Sequence, residues 1–289
     1  MNLSVVFFAY SRPELLANSV NSFNLATNSS SWKKVLVWQR GFEEMWSKVQ
    51  DLRSSFDLIV ETKGNQNTVL ANINFNRVLG MRLAFDELKA DFVLGIEEDA
   101  VVSTDSLVFI EQIYTKFQGA RNFMGINLGS VEPRSEHDLK GYSRLRYGLQ
   151  GQAGGVTKIA WKRCYRLLKA YDNENVGWDS RLEFYLKTGF MVTPNVSRMN
   201  DYGWINGTHS SADSNNIHFR LLRQSQFEGI LNSELVYEEI PVHHTWRKDV
   251  TLYSCFNALP AKLRSVNFIR NLAIYLKGLS KNRFLQNRV

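Results

Sequence analysis

The order of segments in the first hundred residues constrains this chain more than any other feature. Short runs of β-branched and aromatic residues alternate there with longer stretches of helical spacing. Leu3 to Ala9 reads as a strand buried on both faces. Ser11-Arg12-Pro13-Glu14 follows as a helix start, with Ser11 as the cap, Pro13 early and Glu14 in the first turn. That helix continues through Leu15, Leu16, Val20 and Phe23. Lys34 to Trp38 predicts a second strand, Glu43 to Arg53 a helix, and Phe56 to Glu61 a third strand. Thr68 to Leu88 predicts a long helix with apolar spacing at Val69, Ile73, Val78, Leu79, Leu83 and Leu88, and Phe92 to Ile96 a fourth strand. An alternation of this kind folds as an α/β domain with a mainly parallel sheet and right-handed crossovers. Ligands of such sheets bind beyond the carboxyl ends of the strands. That rule points to Ala9-Tyr10-Ser11-Arg12, to Gln39-Arg40 and above all to Glu97-Glu98-Asp99.

Several function classes fall away at once. No G-x-G-x-x-G follows the first strand and no G-x-x-x-x-G-K-[ST] occurs, which argues against a dinucleotide-binding dehydrogenase and a P-loop NTPase. With 44% apolar residues in 289, the chain has ample material for a core. Two cysteines, Cys164 and Cys255, make neither a disulfide scaffold nor a zinc pair. The apolar start, Val5 to Ala9, ends at Arg12-Pro13-Glu14, too early for a signal peptide, and no stretch reaches the ~20 apolar residues of a membrane span. The expectation is a cytosolic protein. The net charge of +7 lies wholly after Asp249, in Lys262, Arg264, Arg270, Lys277, Lys281, Arg283 and Arg288, so residues 1–249 carry 28 charges of each sign. A neutral body without basic–aromatic stripes argues against nucleic acid.

The second half is less regular. A glycine-rich run, Gly148 to Gly155, precedes a helix signal from Ile159 to Tyr171, and Gly177-Trp178-Asp179 leads into another helix. Thr193 to Ser214 is rich in Asn, Gly, Ser and Thr, which suits surface loops around a site. There is no internal repeat and no linker.

Three consecutive acids after a buried strand repel one another and need compensation. A divalent cation bound together with substrate phosphates supplies it by one reading; a solvated acidic turn is the other. Asp179 likewise reads either as a general base or as the cap of a helix beginning at Ser180.

A short strand, Ser-Arg-Pro-Glu, three βα units and then strand–Glu97-Glu98-Asp99 resembles the GT-A superfamily of nucleotide-sugar glycosyltransferases. Within it the pattern is most similar to the inverting N-acetylglucosaminyltransferase I family, whose acidic motif reads Glu-Asp-Asp; here the middle acid is the longer Glu98. Gln152-Ala153-Gly154-Gly155, Trp178-Asp179, Pro194-Asn195-Val196-Ser197-Arg198, Tyr202-Gly203 and Gly207-Thr208-His209 continue the likeness in order, so it spans about residues 3 to 215. The resemblance implies a GT-A-like, Rossmann-type mainly parallel sheet flanked by helices, with a less regular acceptor-side half and a C-terminal helical tail. It implies one domain over 1–255, with a nucleotide-binding half at 1–100 and an acceptor half at 101–255. It implies Mn²⁺ or Mg²⁺ on Asp99, completed by His209 or His243, although a pair such as His243-His244 is more often structural. Ser11, Arg12, Glu97, Glu98, Gly154, Gly155 and Trp178 would contact a UDP-sugar donor, Gly154 and Gly155 from a loop, and Asp179 would take the proton of the acceptor hydroxyl, on a glycan or lipid-linked glycan.

Residues 256–289 form a basic amphipathic tail. Val266, Ile269, Leu272, Ala273 and Leu276 fall at helical spacing, suited either to an anionic membrane surface or to packing on the body. A cytosolic enzyme of this size with such a tail is similar to those that build bacterial lipopolysaccharide or capsule. Two competing readings remain, a sugar nucleotidyltransferase and a non-catalytic glycan-binding module. The first normally carries glycines after the first strand, which Ala9 to Pro13 lacks.

Overall fold

The computed structural model describes residues 1–64, 68–130, 140–145, 152–169, 189–203 and 236–239. The leading units follow the expected alternation: β1 (Leu3–Ala9), α1 (Pro13–Leu25), β2 (Lys33–Gln39), α2 (Glu43–Asp51), β3 (Leu58–Thr62), α3 (Val69–Arg82) and β4 (Phe92–Glu97). Then come β5 (Ala100–Val102), α4 (Ser106–Phe117), β6 (Phe123–Asn127), β7 (Gly141–Leu145), β8 (Ala153–Thr157), α5 (Lys158–Lys169), β9 (Phe190–Pro194), β10 (Met199–Asp201) and the short β11 (Glu238–Glu239). One sheet of nine strands runs in the order β11-β7-β9-β6-β8-β4-β1-β2-β3, and β5 pairs with β10 in a separate two-stranded sheet.

Strand β1 is buried along its whole length because it lies between β4 and β2, parallel to both. Its alternate side chains therefore enter two cores. Val5, Phe7 and Ala9 join Leu36, Leu94 and Ile96 against Leu16, Val20 and Phe23 of α1, with Phe7 and Phe23 edge to face at 5.6 Å. Val6 and Phe8 join Val35, Val37 and Val93 on the opposite face, together with Phe85 and Trp161, whose rings stack at 5.4 Å. Gly80 brings α3 down onto that face: a Cβ there would stand 2.6 Å from Val6 Cγ1 and 3.0 Å from both Phe8 Cε1 and Val37 Cγ2.

The strand order places the site. From β1 the chain moves outward through β2 to β3, then returns by α3 to lay β4 on the other side of β1. The carboxyl ends of β1 and β4 thus diverge at a topological switch point, where open α/β sheets hold ligands. The acidic triplet ends β4 at that point.

Local boundaries shift for identifiable reasons. β3 starts at Leu58 rather than Phe56, because Arg53–Ser55 form a 3-10 turn capped by Phe56. The helix expected to reach Leu88 stops at Arg82 and widens into a π-turn over Leu83–Glu87, after which Lys89 takes a positive φ of 58° to turn the chain into β4. The sheet is mixed: β8 runs antiparallel between β4 and β6, and β7 antiparallel to β9. No described helix is long and apolar enough to cross a membrane. The tail at 256–289 lies outside the described residues, as does the helix expected after Asp179.

Candidate functional site

Between β1 and α1 the chain makes a tight turn through Tyr10, Ser11 and Arg12. Pro13 opens α1, and the residue in the capping position is Arg12, which makes no side-chain cap; the expected Ser11 cap is thereby corrected. Ser11 sits partly buried at the carboxyl end of β1. The Arg12 side chain crosses to the end of β4 instead. Its Nε donates to Glu98 Oε1 at 2.7 Å and its second terminal nitrogen, Nη2, stands 2.6 Å from Asp99 Oδ2. Burial works against the guanidinium charge, but Asp99 and Glu98 outweigh it and hold the Arg12 pKa above its ordinary value.

The three acids separate as soon as β4 ends. Glu97, the last strand residue, pairs with Arg77 of α3, whose guanidinium lies 5.3 Å over the Phe8 ring. Glu98 turns inward and is 3% exposed; its two oxygens accept from Arg12 and from the Tyr10 N–H at 2.6 Å. It braces the turn after β1. Asp99 is 5% exposed and opens the step into β5. Its carbonyl accepts from Tyr202 N–H at 2.9 Å, and its Oδ1 is buried with no hydrogen-bond partner among the described residues. A buried carboxylate oxygen without a donor is costly and calls for a ligand.

Two arginines, Arg12 and Arg77, supply part of the charge compensation that the three acids need. Among the described residues no three His, Cys, Asp or Glu side chains gather to hold a metal. What fits a Mg²⁺ or Mn²⁺ is the Asp99 carboxylate with its partnerless oxygen, since such ions take one or two carboxylates and complete their shell with substrate phosphates and water.

The other expected site residues divide. Glu97, Glu98, Asp99, Ser11 and Arg12 come together. Gly154 and Gly155 do not form the expected loop: they lie inside β8, opposite Gly95 and Leu94 of β4. A Cβ on Gly155 would stand 2.6 Å from Phe92 Cε1, so close strand packing accounts for that glycine. Trp178, Asp179, His209, His243 and His244 lie outside the described residues. The segment expected as surface loops, from Thr193, is buried as far as Asp201 apart from a half-buried Asn200, because β9 and β10 pair within the two sheets.

Arg198 shows how that segment is anchored. Its side chain and that of Asp105 are fully buried, 2.7 Å apart, and Asp105 also accepts from Ser103 Oγ at 2.6 Å and Tyr237 Oη at 2.5 Å. Burial, followed by the charge and hydrogen bond of Asp105, pushes the Tyr237 phenol well up. The Arg198 backbone bonds to Leu128 O at 2.7 Å and accepts from Ser103 N–H at 3.0 Å, fixing β10 against β5 beside the acids. Sequence reasoning missed Arg77 and Asp201 at this site. Arg77 stood in a helix with no pattern to mark it, and Asp201 was one acid in a polar stretch.

No known protein family matches the sequence, and no curated protein does. Among solved structures, S. aureus TarS residues 1–349 matches with a TM-score of 0.52 at 12% identity, covering 100% of this chain and 92% of that one. The same TarS fragment in complex with UDP matches with a TM-score of 0.48 at 15% identity, and in complex with UDP-GlcNAc with 0.48 at 14%. In these two the match covers 69% of this chain, and it spans 60% and 58% of the TarS chain. At such identities the likeness is one of fold. The nine-stranded, mostly parallel sheet flanked by helices is GT-A-like.

Proposed function

We propose that this chain is a glycosyltransferase that moves a sugar from a nucleotide diphosphate donor to a hydroxyl of a glycan or lipid-linked glycan. The observation that carries the reading is the Asp99 carboxylate, buried at the switch point with one oxygen unpartnered and Arg12 on the other. The site thus offers an anion for a cation and a cation for a phosphate side by side, from the ends of two neighbouring strands. UDP-sugars are the favoured donors, since the TarS fragment is known in complex with UDP and UDP-GlcNAc.

In this reading Asp99 holds Mn²⁺ or Mg²⁺, which when bound supplies Lewis-acid charge to the leaving diphosphate. Arg12 adds a fixed positive charge, and Glu98 keeps it in place by holding both its Nε and the Tyr10 N–H. Asp179 takes the acceptor proton, and a single displacement inverts the anomeric centre, as the likeness to the N-acetylglucosaminyltransferase I family implies. The basic tail at 256–289 brings the enzyme to an anionic membrane carrying a lipid-linked acceptor, in lipopolysaccharide O-antigen or capsule synthesis.

A panel of nucleotide sugars, titrated with Mn²⁺, with Mg²⁺ and with chelator, tests this. One UDP-sugar is expected to bind with metal, Asp99→Ala to abolish that metal-supported binding, and Asp179→Ala to keep binding but lose transfer. If no nucleotide sugar binds under any condition, the reading is wrong.

A further inference from the structure

A second buried carboxylate stands at the head of this site. Asp201 ends β10 opposite Ala100, the residue after Asp99, and is 7% exposed. Residues 201–203 fold back over Asp99. Asp201 Oδ1 accepts from Gly203 N–H at 2.7 Å, while Tyr202 N–H donates to the Asp99 carbonyl. Gly203 then rests against the Asp99 carboxylate: Asp99 Cγ and Asp201 Oδ1 stand 2.9 and 3.0 Å from the point its Cβ would occupy, and Asp99 Oδ2 is nearer still. Asp99 Oδ2 and Asp201 Oδ1 thus both pack against Gly203, which leaves no room for a side chain there.

Like charges this close oppose each other's ionisation unless positive charge lies beside them. Arg12 meets Asp99 on its Oδ2 side, where it is shared with Glu98. The Oδ1 side has no donor among the described residues, and the Asp99 side chain is 6% exposed, so water does not serve it freely.

We propose that Asp201 and Asp99 together hold the divalent cation, the remaining oxygens coming from the diphosphate of the donor. The inference rests on the glycosyltransferase reading and adds a ligand-bearing residue to it. Mg²⁺ and Mn²⁺ bound with phosphates use one or two carboxylates rather than a cage of protein ligands, so a pair suffices. Arg12 adds a condition. Its guanidinium, beside Asp99, opposes a bare dication, and its Nη1, buried without a hydrogen-bond partner among the described residues, suits a phosphate oxygen. Cation and diphosphate consequently bind more tightly together than apart, and each raises the affinity of the other by the same factor.

The test is a Mn²⁺ titration of the full chain, with and without UDP, read from the paramagnetic resonance of the free ion. Wild type is expected to bind Mn²⁺ weakly alone and tightly with UDP. Asp201→Asn keeps the shape and a hydrogen-bond acceptor for Gly203 but removes the charge. It is expected to weaken Mn²⁺ binding in the presence of UDP by about tenfold or more, since even outer-shell partners of a metal are worth that much. Gly203→Ala, which retains both acids but presses a methyl group against both carboxylates, is expected to do the same, and it carries the test should a circular-dichroism melt show that Asp201→Asn does not fold. If both variants hold Mn²⁺ as wild type does while Asp99→Asn loses it, Asp201 has no part in the site. If wild type takes up no Mn²⁺ with UDP, the inference also falls. The donor reading is then judged separately, by whether UDP-sugars still bind in chelator.

Discussion

Removing either partner of the Asp105–Arg198 pair should destabilise the fold more than any exposed ion pair could. Both side chains are fully buried, with Nε and Oδ2 2.7 Å apart. Deleting one partner of such a pair leaves an uncompensated charge in a low-dielectric interior, a cost of about 3–5 kcal/mol. The two single changes should differ in a predictable direction. Arg198→Met leaves Asp105 with the hydroxyl donors of Ser103 and Tyr237, at 2.6 and 2.5 Å, so about 3 kcal/mol is expected. Asp105→Leu takes the carboxylate from a guanidinium that cannot deprotonate and removes the acceptor of both hydroxyls, so about 5 kcal/mol is expected. In the double variant no charge remains. Its residual cost is that of the stranded hydroxyls, about 1–3 kcal/mol each at most, and it should be more stable than Asp105→Leu alone. Urea unfolding followed by circular dichroism measures all three. If either single change costs less than about 1 kcal/mol, or the two costs simply add in the double variant, the pair is not coupled and this account of the β5–β10 anchor is wrong.

Gly80→Ala should cost about 1–3 kcal/mol by overpacking, because its methyl group would stand 2.6 Å from Val6 Cγ1; a melting temperature equal to wild type would contradict the close approach of α3 to the sheet. The Tyr237 phenol supplies a pH dependence. Its folded pKa is raised above the ordinary 10.0, so its contribution is fully present below about pH 10 and is lost as pH rises further. Wild type should lose stability between about pH 10 and 12 more steeply than Tyr237→Phe, and parallel curves would refute the buried, Asp105-facing placement of that ring.

The first hundred residues are legible because each βα unit there closes locally: the strand is a short apolar run, the helix a periodic one, and β1, β2 and β3 follow one another in the sheet, with only β4 crossing back to β1. Errors were confined to ends, at Ser11, Phe56 and Leu88, where a 3-10 turn, a π-turn or an arginine took the place of the expected cap or of a continuing helix or strand. Beyond residue 100 the pairing becomes long-range and the local signal misleads. Gly154 and Gly155 look like a loop by composition, yet Gly155 is a strand residue because Phe92 occupies the space of its missing side chain. Pro194 to Arg198 looks like a polar surface, yet Arg198 is fully buried because Asp105, ninety-three positions away, receives it. The acidic triplet shows the same limit at the site itself. Its position at a sheet edge follows from strand order, so the sequence suffices to find it. Its charge balance does not, because Arg12 arrives from the end of a neighbouring strand and Arg77 from a helix on the far face. With those two arginines in place, repulsion within the triplet alone does not call for a metal. The proposal of one now rests on a single oxygen of Asp99 that has no partner among the described residues and on a second carboxylate, Asp201, that β10 sets beside the same residue.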